Sequence, residues 1–205
     1  MNILLMDGLP EDYKGIPISP DYRNMIQVDM ILRDPDLSDV ERAQLALPLL
    51  YPEVPEDIRL AIDGLEWFYA RGHVEDAASG DGRTPQKGKT KRAFDFEQDA
   101  NLIYAAFRAT YNLDLADVEY LHWWAFMALF EGLPETTLIQ RVIYWRTADT
   151  TGMSKTERKH VMRMRNLFAL KTPEREPMDI KEVEQRTLDW AARRFEEAKK
   201  ATGKA

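Results

Sequence analysis

Cysteine is absent from the 205 residues. No disulfide framework, thiolate metal site, iron–sulfur cluster or cysteine nucleophile is therefore available. Histidine is scarce, with 3 copies, and none stands in a His-Glu-x-x-His pair; no calcium-binding loop pattern occurs either. Long apolar runs are missing: nothing approaches the roughly 20 apolar residues that span a bilayer. The start, Met1 to Leu5, is apolar for only a few residues before Asp7 and lacks a basic leader, so no signal peptide is expected. A basic excess is lacking too. The net charge of −7 argues against wholesale nucleic-acid binding. The expectation is a chain without membrane segments, at work in a reducing cytoplasm.

Aromatic residues, by contrast, are plentiful. With 8 Phe, 8 Tyr, 5 Trp and 44% hydrophobic residues, a packed core is expected despite 31% charged residues. The charge is unevenly spread. Residues 1–70 carry 14 acids against 5 bases (−9), whereas residues 139–171 carry 8 bases against 2 acids (+6). Such asymmetry points first to a self-complementary fold or oligomer, then to a partner-binding face.

The dominant period is helical. Residues 1–19 hold Gly8, Pro10, Gly15 and Pro17 and read as an extended arm, with a short strand at Ile3–Met6. After Pro20, the positions Tyr22, Met25, Ile26 and Leu32 predict an amphipathic helix ending near Asp34-Pro35. Ser38 and Glu41 form a capping box that opens a second helix, in which Pro48 should cause a kink or an early end. Ile58, Ala61, Ile62, Leu65, Phe68 and Tyr69 share a face of a third, stopped by Gly72. Residues 73–93 lack apolar periodicity and read as an exposed, mobile loop. Phe96, Ala100, Ile103, Phe107 and Tyr111 then predict a helix to Asn112. The next, over 117–131, is apolar almost all round and should lie at the centre of the fold. Further helices are expected from Thr136 to Arg146 and after the Ser154/Glu157 capping box. Lys171-Thr172-Pro173 makes a linker, and Asp179 with Glu182 opens a final helix. The sum is an all-α fold of about seven or eight helices: an arm (1–19), a helical domain (20–170) and a linker with a C-terminal helix (171–205).

No constellation of catalytic residues converges. His122 lies beside Trp123 in the most apolar stretch, where a hydrogen-bonded core histidine is the default; with Glu119 it makes two ligands, not a site. Gly82…Gly88-Lys89-Thr90 looks like a phosphate-binding loop, but the glycine spacing is one residue too long and no strand precedes it. Asp95, Glu97 and Asp99 could be read as a carboxylate cluster, yet acids at a helix start serve capping and the dipole. Arg158, Lys159, Arg163 and Arg165, with Lys155, make a basic helix whose default is a solvated face, and whose alternatives are phosphate contacts or an acidic protein partner. Trp123 and Trp124 point about 100° apart on a helix, so one of them is a candidate for partner contact. No cofactor, metal or enzymatic activity is expected.

A specific resemblance runs through the middle of the chain. Ile18-Ser19-Pro20-Asp21-Tyr22-Arg23, Trp67-Phe68-Tyr69, Asp95-Phe96-Glu97-Gln98-Asp99-Ala100 and above all Leu121-His122-Trp123-Trp124 with Phe126 are similar to the bacteriophage gp-fifteen family of long-tailed phages and prophages. Over roughly residues 10–150 the chain resembles that family. The resemblance implies a tail assembly chaperone, since such genes lie between those for the major tail protein and the tape-measure protein. It implies the tape-measure protein as partner, with the major tail protein as a further contact, and the host cytoplasm as location; self-association is what the acidic front half and basic rear helix offer by themselves. The competing readings are a structural component of the virion tail or head–tail connector, and an enzyme or nucleic-acid-associated factor.

Overall fold

Five side chains fix where helices begin in the computed structural model, which describes residues 8–72 and 93–171. Asp21, Ser38, Asp57, His122 and Ser154 each accept a backbone N–H in the first turn that follows. They open α1 (Tyr22–Arg33), α2 (Asp39–Leu50), α3 (Ile58–Tyr69), α5 (Trp123–Glu131) and α7 (Lys155–Leu167). Both expected capping boxes are present: the Glu41 and Glu157 carboxylates accept from the backbone N–H of Ser38 and Ser154. Hydrogen bonding to the serines holds both glutamates below the usual carboxylate range. Left-handed Asn112 ends α4 (Ala100–Tyr111), and left-handed Arg71 with Gly72 ends α3, the Gly72 N–H returning to the Trp67 carbonyl. With α6 (Leu138–Thr147), the described residues hold seven helices. The all-α reading holds.

The arm is more than an extended strap. Its described part folds back as a two-stranded antiparallel hairpin, β1 (Asp12–Tyr13) on β2 (Ile16–Pro17). Lys14 and Gly15 both take positive φ at the turn, as a tight hairpin of native twist requires. Tyr13 and Ile16 pack against the core and Ile18 is buried within it. The expected strand at Ile3–Met6, the phosphate-loop lookalike and the helix from Asp179 lie outside the described residues.

Two further expectations are corrected. Pro48 does not cut α2 short: the helix runs to Leu50, and the Tyr51 N–H still reaches the Leu47 carbonyl. Pro48 is exposed and stands in the last turn, so the bond it cannot donate, to the Gln44 carbonyl, is lost near the end of the helix rather than in its middle. The central helix begins at Trp123, not near Asp117. The Asp114 carboxylate accepts the Ala116 N–H and closes a separate turn. The backbone at Leu121 and Trp123 then bonds to Tyr22 and Pro20 at the entry to α1 (2.9 and 2.8 Å), so it is unavailable for a helix of its own.

The core centres on α5, as its composition predicts. Phe126 is fully buried, with the rings of Tyr22 at 4.9 Å, Phe107 at 5.1 Å and Trp123 at 5.8 Å. Offset aromatic pairs of this kind add to the area they bury. A separate, smaller cluster of Val142, Trp145 and Val161, with Met164 and Phe168, joins α7 to α6.

Candidate functional site

The segments that carry the sequence resemblance meet one another. Pro20-Asp21-Tyr22 lies antiparallel to Leu121-His122-Trp123. The Tyr22 hydroxyl donates to the Leu115 carbonyl at 2.7 Å, and the Arg23 guanidinium donates to the Val118 carbonyl. His122 is buried and does two jobs. Its Nδ1 accepts the Trp124 N–H at 3.0 Å, so Nε2 carries the proton and donates to the Pro10 carbonyl at 3.0 Å. Burial lowers its pKa, which keeps the ring neutral as this pattern needs. This junction ties the arm, α1 and α5 together. Architecture accounts for its hydrogen bonds, and the one polar group it leaves over is the buried Trp123 Nε1–H, which has no hydrogen-bond partner among the described residues.

The tryptophan pair divides as the helical angle implies. Trp123 is 2% exposed, so the partner role open to it from sequence is closed by the fold: the ring is core. Trp124 is half-buried, donating from Nε1 to the Phe68 carbonyl at 2.9 Å and packing on Trp67 and Phe68. It is a structural ring that stays partly exposed.

The carboxylates at 95–99 divide too. Asp95 caps its turn, accepting from the N–H groups of Glu97 and Gln98. Asp99 stands at the start of α4 without capping it. Its carboxylate instead meets the buried Arg146 guanidinium at 2.5 and 2.9 Å. Arg146 also donates to the carbonyls of Phe168 (2.7 Å) and Ala93 (3.2 Å). Sequence reasoning missed this pair, because 47 residues separate its members and each reads locally as a surface charge. A second buried carboxylate, Asp29, accepts from the Tyr69 hydroxyl and pairs with Arg33 at 2.7 Å. Burial and that carboxylate push Tyr69 up to about 12. Among the described residues, no group of three or more His, Asp and Glu is placed to hold a metal ion.

What remains outward-facing is the basic helix. Arg165 is not available as a surface charge. It donates to the Trp145 carbonyl at 2.8 Å and the Ala148 carbonyl at 2.6 Å, closing the C-terminal end of α6. Lys155, Arg158, Lys159 and Arg163 are exposed, with no carboxylate in ion-pair range among the described residues. Arg158 reaches only the Thr150 carbonyl, at 3.2 Å. Met162 and Leu167 stand exposed at the same helical spacing. The result is one stripe in which unpaired cations alternate with apolar side chains. No described helix is long and apolar enough to cross a membrane.

Comparison with known proteins adds one match. A family model described as Bacteriophage Gp15 protein matches residues 5–170. No curated protein and no solved structure matches the chain. The matched span includes the hairpin, all seven described helices and the junction between α1 and α5.

Proposed function

The chain belongs to the bacteriophage Gp15 protein family, and from that premise we propose that it is a non-enzymatic tail assembly chaperone. It binds the tape-measure protein in the host cytoplasm and assists assembly of the tail tube before leaving. The observation that carries this reading is the outward stripe of α7, where Lys155, Arg158, Lys159 and Arg163 flank exposed Met162 and Leu167. A long helix with an apolar seam and acidic flanks can pack side by side against such a stripe. The chemistry also suits a client that must be released. Apolar contacts supply area, while exposed charges speed encounter and leave the complex sensitive to salt.

The test is co-expression of the tagged chain with the tape-measure protein of the same phage, followed by pull-down at low and moderate salt. Co-purification is expected, weakened by combined Arg158→Glu, Lys159→Glu and Arg163→Glu replacement, with the chain absent from purified particles. Failure to co-purify at either salt overturns the tape measure as partner. Retention in finished particles would instead make the chain a structural component of the tail or head–tail connector.

A further inference from the structure

We infer that the α7 stripe also fits the acidic loop between α2 and α3 of a second copy, so that copies of this chain associate head to tail. The loop is the mirror of the stripe in chemistry. Glu53, Glu56 and Asp57 are exposed there, with Val54 40% and Ile58 50% exposed beside them. Asp63 and Glu66 continue the acidic surface along α3, and Arg59 is its one base. Asp57 is occupied in capping α3 through the Leu60 N–H. Glu53, Glu56, Asp63 and Glu66 have no cation in ion-pair range among the described residues. On α7 the apolar partners are Met162 at 42% and Leu167 at 69% exposure. Each face thus offers two large exposed apolar groups set among charges mostly of one sign.

The two faces rest on different neighbours within one copy: α3 packs on α2 and, through Trp67 and Phe68, on Trp124 of α5, whereas α7 packs on α6. No ion pair among the described residues joins them. A contact between unlike faces of identical copies is heterologous, and it leaves one free face of each kind at the ends. It therefore extends to chains of copies unless the rotation happens to close a ring. This inference does not depend on the tape-measure reading, although both use α7, so a bound client and a neighbouring copy compete for the stripe.

The experiment uses the purified full chain alone, in sedimentation equilibrium across a wide concentration range. At low salt, average mass is expected to climb with concentration past that of a dimer. It should fall back toward the monomer near about 1 M salt, where the Debye length is about 3 Å. Two charge-reversed variants carry the argument: Glu53→Lys with Glu56→Lys, and Lys159→Glu with Arg163→Glu. All four positions are exposed, so both variants are expected to melt at the parent temperature. Each alone should stay monomeric, and an equimolar mixture should associate again, because in contacts between unlike variants the side chains at 53 and 56 meet those at 159 and 163 with opposite sign. A parent chain that stays monomeric at all concentrations overturns the inference, as does a mixture that fails to re-associate. A fixed dimer indifferent to both reversals overturns it too. The acidic-loop variant keeps α7 intact and should still co-purify with the tape measure, so loss of self-association and loss of client binding are read separately.

Discussion

The buried pair between Asp99 and Arg146 should be the most sensitive polar contact in the fold. Its side chains are 4% and 7% exposed, and the guanidinium holds four acceptor contacts that tie residue 93, the start of α4, the end of α6 and residue 168. Asp99→Asn keeps the shape and one accepting oxygen but leaves a buried cation without its counter-charge. Breaking a buried pair from one side costs about 3–5 kcal/mol, and the retained amide contact places this variant near the lower end. For a domain of this size each kcal/mol moves the melting temperature by about 2–4 °C, so a drop of about 6–12 °C is expected. Arg146→Met should cost a similar amount, because Asp99 then keeps only the Asp95 N–H, at 3.0 Å. The double variant removes both charges, and its loss should fall short of the sum by about 1–3 kcal/mol. Urea unfolding followed by circular dichroism and tryptophan fluorescence would measure all three, with unchanged slopes confirming a common unfolded state. Losses below about 1 kcal/mol in the single variants would refute the reasoning. So would additivity to within about 0.5 kcal/mol in the double.

Three other perturbations have directions set by the structure. Gly64→Ala gains up to about 1 kcal/mol of helix propensity. Its new Cβ, however, would fall inside contact with the Tyr51 hydroxyl and lie 2.6 Å from Tyr13 Cδ1, so a net loss of about 2 kcal/mol is expected in denaturation. Phe126→Ala should cost about 3–5 kcal/mol, and a melting temperature close to that of the parent would remove Phe126 from the centre of the core. His122 has its pKa lowered from 6.5 by burial, so below that pH the unfolded chain binds a proton that the folded chain refuses. Stability should then decline as pH falls through about 6.5 toward 5. His122→Asn, which can still accept the Trp124 N–H, should flatten that limb; an unchanged slope would assign it to other groups.

Much of the fold is written in local patterns. Ser38 with Glu41, and Ser154 with Glu157, announce their helices because a capping box is satisfied within four residues of chain. The apolar run from Trp123 to Phe130 announces a core position, because no polar face is left for water. The start of that helix was not legible. His122 caps it only because Pro10 and Pro20 are brought alongside by pairing across about a hundred residues.

The candidate face divides along the same line. The sequence alone determined that residues 139–171 would be basic, that the first third would be acidic, and that α7 would have few buried positions, since charge and period are properties of neighbouring residues. Which cations stay free was decided by tertiary structure. Arg146 is drawn into the interior by Asp99, Arg165 is occupied by carbonyls at the end of α6, and Arg158, Lys159 and Arg163 are left to solvent. The tryptophan pair follows the same rule: one ring fills the core and its neighbour stays partly exposed. A charge or a ring becomes a site only when the fold leaves it unpaired, and pairing depends on distances in space that spacing along the chain does not encode.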